Sequence, residues 1–261
     1  MRTQVRDRWL AVAMGNSRSL WGQFDGDRLQ RWQRCLPGVH PDWADHPNRE
    51  IVIAEVGAPK LRSPLLASRI SASQQMSSQS IQFLTPEHVP LASQYETLGL
   101  DRSLALVGAA SCWGWPVLVV DGGTALTVSA ADETGSFVGG AILPGFGLQG
   151  SVLHDATAAL PHVRFVDTHD MARQPERWAT STVGAIRSGI FYGILAVVRE
   201  FYRDWCNRYP SSPIVFAGGD GELLHQALGI DNSHFDPALV LRGMAVCRQS
   251  TRLSGHSDPS N

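Results

Sequence analysis

A segment of the sequence that occurs twice is the feature that most constrains the fold. Residues 10–26 contain an apolar run, a polar turn at residues 15–17, a second apolar run and an Asp-Gly turn. Residues 117–135 repeat this order around residues 122–124. Two apolar runs joined by a tight polar turn predict a β-hairpin, and the copies lie too far apart for a solenoid, whose period is about 20–50 residues. The sequence therefore predicts a fold built from two similar halves.

Strand and helix patterns follow each hairpin. Short apolar runs predict buried strands, and apolar residues three and four positions apart predict helices. The predicted strands are Glu50–Val56 and Pro213–Gly219, and the predicted helices are Asp101–Cys112 and Thr182–Trp205. Asp236-Pro237 predicts the start of a last helix, because Asp favours the N-cap and Pro favours the first turn. Strands mixed with helices indicate an α/β fold.

The two halves are predicted to be residues 1–110 and 111–261, with the last helix, near 237–249, able to pack back on the first half. A formal net charge of −2 argues against the basic face of a nucleic-acid-binding protein. No apolar run approaches the roughly 18 residues of a membrane span. The four cysteines form no C-x-x-C pair, as expected of reduced thiols in the cytoplasm.

The single lysine, Lys60, excludes two common nucleotide sites. A P-loop needs a lysine after its glycines and a protein kinase needs one on a strand, whereas Lys60 follows a proline. Backbone amides of a glycine-rich turn bind phosphate without any lysine. One such turn alone is typical of an ordinary hairpin, but the matched pair at 15–17 and 122–124 favours a nucleotide bound between the halves.

Seven motifs, in order along the chain, resemble those of type III pantothenate kinases, which belong to the actin-like superfamily with sugar kinases, acetate kinase and actin. The motifs are Gly15–Arg18, Tyr95–Arg102, Asp121–Ala125, Gly139–Gly145, Ser181-Thr182 leading to Ser188-Gly189, Gly218–Asp220 and Asp236–Gly243. Gly-Leu-Asp-Arg at residues 99–102 is the most diagnostic. The resemblance implies a duplicated actin-like, or ribonuclease H-like, two-domain α/β ATPase fold with the nucleotide in the interdomain cleft.

The resemblance implies an enzyme that uses ATP to phosphorylate pantothenate to 4′-phosphopantothenate, the first step of coenzyme A biosynthesis. Asp101 would accept the proton of the attacking hydroxyl, and Arg102 would pair with the carboxylate of pantothenate. The other substrate-binding positions that the family implies are Tyr95, Gly99, Leu100 and Thr182. Because Asp101 also precedes a helical run, the residues alone leave a helix N-cap as its other role.

Nucleotide and ion sites follow from the same resemblance. The positions that match nucleotide-binding residues are Gly15, Asn16, Ser17, Arg18, Gly123, Thr124, Gly218 and Gly219. Mg²⁺ would accompany ATP and neutralise charge during transfer. Asp121 matches the position that holds a monovalent cation, K⁺ or NH₄⁺, and without an ion its carboxylate would repel the phosphates. The resemblance also implies a cytoplasmic homodimer that takes a small-molecule substrate and binds neither nucleic acid nor a membrane.

One position departs from the family. Its members usually carry Asp two residues before the first glycine of the phosphate turn, where this chain has Ala13. Alanine cannot hold an ion or a water molecule, so a non-catalytic accessory or regulatory homologue on the same fold is the alternative. The presence of Asp101 favours an enzyme, because a binding protein needs no base.

A dinucleotide-binding oxidoreductase is the third functional hypothesis. Residues 145–150 fit the pattern G-x-G-x-x-G and follow an apolar run, and Val163–Asp167 reads as a next strand that ends in an acid for the ribose. Pro144 stands where that strand should run straight into the turn. This reading also leaves the paired hairpins and Gly-Leu-Asp-Arg unexplained.

Overall fold

The computed structural model describes part of the chain, and the described ranges are 7–36, 38–45, 50–56, 80–165 and 174–254. Lys60 and the end of the Val163–Asp167 segment lie outside them. The described residues contain ten strands: β1 Arg8–Met14, β2 Ser19–Asp25, β3 Arg28–Cys35, β4 Glu50–Glu55, β5 Ser80–Leu84, β6 Val117–Gly122, β7 Ala125–Ala131, β8 Phe137–Pro144, β9 Ile214–Gly218 and β10 Ser233–Phe235. They also contain five α-helices: α1 Leu100–Trp113, α2 Phe146–Asp155, α3 Thr182–Arg208, α4 Gly221–Leu228 and α5 Leu239–Ser254.

The described residues divide into two compact units. The first unit takes its residues from Met1–Cys112 and Ala238–Asn261, and the second takes them from Trp113–Pro237. Helix α5 therefore follows the second unit along the chain but belongs to the first, where it contacts β1, β2 and β4.

Each unit contains one five-stranded sheet, and the two sheets have the same topology. The order is β3-β2-β1-β4-β5 in the first unit and β8-β7-β6-β9-β10 in the second. In both sheets the first three strands of the unit form an antiparallel meander, and the last two strands run parallel to the central one. The duplication that the repeated segment predicts is thus confirmed at the level of strand order and direction.

Both predicted hairpins are confirmed, and each turn lies at the carboxyl end of a parallel pair of strands. In the first unit Met14 pairs with Ser19 across the hairpin and with Glu55 of β4. In the second unit Gly122 pairs with Leu126 and with Gly218 of β9. Loops at this edge of a parallel sheet are where α/β proteins place their ligands.

The predicted strands and helices are found, with differences at their ends. Helices α1 and α3 extend the predicted segments by one to three residues, and β4 and β9 fall within theirs. The last helix begins at Leu239 and not directly after Asp236, so the predicted cap is wrong. The backbone N–H of Asp236 donates to the carbonyl oxygen of Phe216 at 2.9 Å. Asp236 therefore continues the pairing of β10 with β9, and the helix starts only after a further turn.

Helix α3 forms the core of the second unit. It is long and apolar enough to span a membrane, and it is the one such helix in the ranges that the structure describes. Its apolar residues nevertheless pack into the core cluster of this unit: Ile186, Ile190, Phe191, Ile194, Leu195 and Val198 are all buried. Its sequence is thus accounted for by packing within the unit.

Helices α1 and α5 approach each other closely in the first unit. A Cβ atom on Gly108 would collide with the carbonyl oxygen of Leu239, and one on Gly243 would collide with that of Leu104. Each helix therefore uses a glycine to let the backbone of the other come into contact. This contact holds α1, which carries Asp101 and Arg102 in its first turn, against the C-terminal helix.

Arg248 fastens α5 to the sheet of the first unit. Its side chain is 2% exposed, and its guanidinium donates to Asp7 Oδ1 at 2.9 Å and to Glu50 Oε2 at 2.8 Å. The same guanidinium lies 4.6 Å from the ring centre of Trp9, which stacks on Phe24. Removing one partner of a buried ion pair is costly, because the remaining charge loses its compensation.

The Arg248→Met variant is expected to lower the free energy of unfolding by about 3 kcal/mol, because Glu50 loses its buried cationic partner. Arg203→Met is the matched control, since the Arg203–Glu200 pair is exposed on both sides and such pairs contribute less than about 1 kcal/mol. Urea unfolding of the two variants measures the difference. Equal stabilities for the two variants would contradict a structural role for the Arg248 cluster.

Candidate functional site

The first turn of α1 brings together most of the residues predicted to bind pantothenate. Arg102 is 7% exposed, and its Nη1 donates a hydrogen bond of 2.8 Å to the hydroxyl oxygen of Tyr95. Tyr95 itself is 46% exposed. The guanidinium is thus buried and bonded to the hydroxyl of Tyr95, whereas the tyrosine ring borders solvent. A buried arginine beside an exposed aromatic ring is suited to binding a small molecule that carries a carboxylate.

Asp101 lies in the same turn, where its position depends on glycine. Its Oδ1 accepts a hydrogen bond of 2.8 Å from the backbone N–H of Arg102. A Cβ atom on Gly99 would lie 2.5 Å from this oxygen, so a larger residue at this position would force the carboxylate to move. Burial raises the pKa of the Asp101 carboxyl, and this outweighs the lowering by the Arg102 N–H bond and by the Arg102 charge. A carboxylate with a raised pKa is a better proton acceptor.

The turn between β6 and β7 is closely packed against a second glycine segment. The N–H of Gly123 donates to the carbonyl oxygen of Ala125 at 3.1 Å, and the N–H of Gly145 donates to that of Thr124 at 2.9 Å. A Cβ atom on Gly145 would collide with the carbonyl oxygen of Gly123. The Gly145 backbone therefore lies directly against the turn. Thr124 is exposed at its tip.

Asp121 and Gly218 meet at the carboxyl ends of β6 and β9. Gly218 has a φ of +82°, and a Cβ atom there would collide with Asp121 Oδ1 and with the carbonyl oxygen of Gly122. That carbonyl oxygen accepts a hydrogen bond of 2.9 Å from the N–H of Asp220. The second unit thus gathers Asp121, the turn at residues 122–124 and the segment at 218–220 in one place.

Asp121 and Gly122 provide the candidate oxygen ligands for an ion in the second unit. Among the residues that the structure describes, no group of three or more His, Cys, Asp or Glu side chains could hold a metal. A carboxylate oxygen of Asp121 and the carbonyl oxygen of Gly122 both approach Gly218. Oxygen ligands of this kind suit a hard monovalent cation.

The first-unit turn has the predicted hairpin form. The N–H of Gly15 donates to the carbonyl oxygen of Arg18 at 3.0 Å, and residues 16–18 are exposed. Ala13 is 3% exposed and pairs with Leu20 on one side and Ala54 on the other. The position where the family usually has Asp is therefore a small buried apolar site in this chain.

The residues predicted from sequence fall into four places. Asp101, Gly99, Leu100, Arg102 and Tyr95 lie together in the first unit. Asp121, Gly123, Thr124, Gly218 and Gly219 lie together in the second unit. Residues 15–18 form their own turn in the first unit. Thr182 is the exposed first residue of α3 in the second unit, directly after Ser181, which caps the helix by accepting from Gly184 N–H at 3.1 Å.

The dinucleotide-binding reading is wrong. Strand β8 runs antiparallel to β7 at the edge of its sheet, whereas a dinucleotide fingerprint requires a parallel strand that enters the helix. Gly145 serves the contact with Gly123, and a Cβ atom on Gly150 would lie 2.6 Å from the carbonyl oxygen of Val163. Residues 161–165 form no strand, and residues 166 and 167 lie outside the described ranges.

Comparisons with known proteins agree with these features. Residues 9–204 match a model of the type III pantothenate kinase family. A type III pantothenate kinase of Synechococcus sp. strain JA-2-3B'a(2-13) is 45% identical over 252 residues, which cover 95% of this chain and 92% of that protein. A type III pantothenate kinase of Synechocystis sp. strain PCC 6803 is 36% identical over 94% of this chain and 91% of that protein.

Solved structures with the same fold were also found. A Baf family transcriptional activator from Campylobacter jejuni has a TM-score of 0.60 at 20% identity, covering 94% of this chain and 99% of that one. A 2-hydroxyisocaproyl-CoA dehydratase activator from Clostridium difficile, solved with bound ADPNP, has a TM-score of 0.52 at 10% identity, covering 97% of this chain and 99% of that one. At these identities the likeness concerns the fold alone, which is the predicted duplicated actin-like α/β fold.

Proposed function

This chain belongs to the type III pantothenate kinase family, and from that premise we propose how its own residues carry out the reaction. The enzyme phosphorylates pantothenate with ATP and forms 4′-phosphopantothenate, the first step of coenzyme A biosynthesis. The observation that carries the assignment of roles is the hydrogen bond between Arg102 and Tyr95 beside the half-buried Asp101 carboxyl. These side chains offer a cation, an aromatic ring and a base within one helical turn and the loop before it.

Asp101 accepts the proton of the pantothenate hydroxyl as that hydroxyl attacks the terminal phosphoryl group of ATP. Burial raises the pKa of its carboxyl, so the group is a stronger base than an exposed aspartate. Arg102 pairs with the carboxylate of pantothenate, because a guanidinium binds a carboxylate through two hydrogen bonds. Tyr95, Gly99 and Leu100 line the same place. Thr182, the exposed first residue of α3, is the further pantothenate-binding residue that the family implies.

The phosphates of ATP bind to backbone amides and hydroxyls, since no lysine serves this purpose in either turn. In the second unit these groups come from Gly123, Thr124, Gly218 and Gly219. In the first unit they come from residues 15–18, where Ala13 offers no carboxylate. When bound, Mg²⁺ neutralises the charge that develops during phosphoryl transfer. Asp121 holds a monovalent cation, K⁺ or NH₄⁺, beside the phosphates.

The Asp121→Ala variant is expected to abolish stimulation of turnover by K⁺, because the carboxylate that holds the cation is gone. The ratio of turnover in potassium chloride to turnover in choline chloride measures this effect and should fall to about one. Asp132→Ala is the control, because Asp132 is a half-buried carboxylate that accepts a hydrogen bond from Thr134 in its own turn. Stimulation that survives in Asp121→Ala places the monovalent cation elsewhere.

A homodimer in the cytoplasm is the assembly that we propose. Strand β8 lies at the edge of its sheet, and its side chains Val138 and Ile142 are exposed, as are Leu148 and Val152 of α2. An open strand edge beside exposed apolar side chains favours contact with another chain. No disulfide joins the four cysteines, which lie in the described ranges, and this supports a reducing compartment.

An assay of the purified protein with ATP, Mg²⁺, K⁺ and pantothenate tests the proposed function. The expected product is 4′-phosphopantothenate, formed in equal amount to ADP and identified by mass spectrometry. The same reaction without pantothenate is the control and should release little ADP. Absence of the phosphorylated product in a folded, ATP-binding preparation would instead favour the accessory or regulatory homologue that Ala13 suggests.

A further inference from the structure

One glutamine connects the loop that carries Tyr95 to the helix that carries Asp101 and Arg102. Gln94 Nε2 donates to the carbonyl oxygen of Leu91 at 3.0 Å. It also lies 3.4 Å and 3.5 Å from the carbonyl oxygens of Pro86 and Val89. The three carbonyl groups belong to the loop between β5 and α1. The amide group of Gln94 therefore contacts this loop at three points along its backbone.

The other end of the same amide group reaches α1. Gln94 Oε1 accepts a hydrogen bond of 2.8 Å from Ser103 Oγ, and Ser103 is completely buried. The preceding residue, Ser93, has a φ of +58°, a conformation that non-glycine residues adopt only when their surroundings impose it. A neutral amide is the side-chain group that both donates twice and accepts in this way.

The bond between Gln94 and Ser103 runs beside the bond between Tyr95 and Arg102. Both bonds join residues 94–95 of the loop to residues 102–103 of the helix. The Tyr95–Arg102 bond is open to solvent on its tyrosine side, whereas the Gln94–Ser103 bond ends on a buried hydroxyl. The Gln94–Ser103 bond therefore fixes the loop against the helix, and it thereby keeps Tyr95 in position to bond to Arg102.

We propose that Gln94 is a positioning residue for pantothenate binding, which fixes Tyr95 against Arg102 and Asp101 through its bonds to Ser103 and to the loop carbonyls. The inference rests on the pantothenate contacts proposed above for Tyr95 and Arg102. Gln94 does not touch the substrate in this account. Its effect is exerted on the affinity for pantothenate and not on that for ATP.

Two substitutions separate this role from a general effect on folding. Gln94→Met keeps the length of the side chain and removes both the donors and the acceptor. It should raise KM for pantothenate roughly 10-fold, as expected for the loss of two part-buried hydrogen bonds, and leave KM for ATP within about twofold. Equal increases in the two KM values would show a structural role only and would overturn the proposal.

Gln94→Glu keeps the oxygen that accepts from Ser103 but places a second oxygen against the loop carbonyls. The charged carboxylate is repelled there, which raises its pKa above the ordinary value of about 4.3, whereas its protonated form donates to a carbonyl as the amide does. Calorimetric titration with pantothenate should therefore show weak binding near pH 8 and recovery toward wild-type affinity near pH 5.5. A ratio of variant to wild-type affinity that does not change with pH would overturn the proposal.

Gln30 provides the matched control. Its Nε2 also donates to a backbone carbonyl oxygen, that of Arg28 at 3.3 Å, but it is exposed on the edge strand β3. Gln30→Met and Gln30→Glu should leave both KM values unchanged at every pH. If neither Gln94 variant folds, Ser103→Ala breaks the same connection from the helix and should raise KM for pantothenate several-fold, and an unchanged KM would overturn the proposal.

Arg102→Lys distinguishes failure of this inference from failure of the proposed site. If Arg102→Lys leaves the affinity for pantothenate unchanged, the proposed site itself is wrong. If Arg102→Lys weakens binding while the Gln94 variants do not, only the inference about Gln94 fails. In the double variant of Gln94→Met with Ser103→Ala, KM for pantothenate should be no higher than in Gln94→Met alone. The reason is that Ser103→Ala removes a bond between the two side chains that Gln94→Met has already removed.

Discussion

Asp101→Asn is expected to lower kcat about 10²–10⁴-fold, the usual contribution of a general base. Asparagine has the same shape and can still accept the N–H of Arg102, but its amide oxygen cannot take a proton from the attacking hydroxyl. Affinity for pantothenate should stay within about threefold of the wild-type value, because Arg102 and Tyr95 are untouched. Steady-state assays that vary pantothenate measure both quantities.

The pH dependence adds a second readout of the same change. Because burial raises the pKa of the Asp101 carboxyl, the wild-type kcat should fall on the acid side at a pH above that at which an ordinary aspartate titrates. The acidic limb should disappear from the profile of Asp101→Asn. The variant should also be at least as stable as the wild type, since the fold disfavours the charged form of this group and asparagine is neutral.

Glu87→Gln is the control for Asp101→Asn. Glu87 is an exposed carboxylate in the same loop region, and a hydrogen bond with the Thr85 side chain lowers its pKa. It lacks the raised pKa of a base, so its substitution should leave kcat and the pH profile unchanged. A kcat for Asp101→Asn that equals that of Glu87→Gln would remove Asp101 from the mechanism.

Gly218→Ala is expected to lower kcat/KM for ATP about 100-fold, the order of loss that follows from displacing reacting groups by about 1 Å. The new methyl group would collide with Asp121 Oδ1 and with the carbonyl oxygen of Gly122. Both must move, and with them the proposed cation site and the turn proposed to bind phosphate. The positive φ also disfavours alanine by about 1–2 kcal/mol. Assays that vary ATP, combined with urea unfolding, measure the two effects.

Gly229→Ala is the matched control, because it separates backbone strain from collision. Gly229 also has a positive φ, of +57°, but nothing lies within 4 Å of a Cβ atom there. Alanine at this end of α4 should lower the free energy of unfolding by about 1 kcal/mol and leave kcat/KM for ATP unchanged. If Gly218→Ala and Gly229→Ala lower the free energy of unfolding equally and both leave kcat/KM for ATP at the wild-type value, the phosphate site is not at Gly218.

The sequence predicts the fold of this chain well where the signal is local. Each hairpin is encoded by its own apolar runs and its own polar turn, so both could be read directly from residues 10–26 and 117–135. The duplication follows from the similarity of the two segments. The start of the last helix could not be predicted, since Asp-Pro is a strong start signal. Only the fold shows that Asp236 directly follows β10 and bonds to Phe216 of β9, with the helix beginning later, at Leu239.

Other features depend on contacts between distant segments. Membership of α5 in the first unit follows from glycine contacts such as that of Gly243 with Leu104 and from the Arg248 cluster, which no periodicity encodes. The glycines at 145–150 fit a familiar pattern, but spacing alone does not tell a parallel strand from an antiparallel one. No sequence pattern indicated a role for Gln94, because its bonds to backbone carbonyl oxygens depend on the folded course of the loop.

In the proposed mechanism the hydroxyl of pantothenate reacts from a position beside Asp101. The most direct test is the distance between that hydroxyl oxygen and the nearer Asp101 carboxylate oxygen in a crystal of the enzyme with pantothenate and a non-hydrolysable ATP analogue. We expect a distance of about 2.6–3.2 Å, within reach of direct proton transfer, with the pantothenate carboxylate on Arg102. A hydroxyl that lies beyond such reach and bonds to another carboxylate would contradict this mechanism.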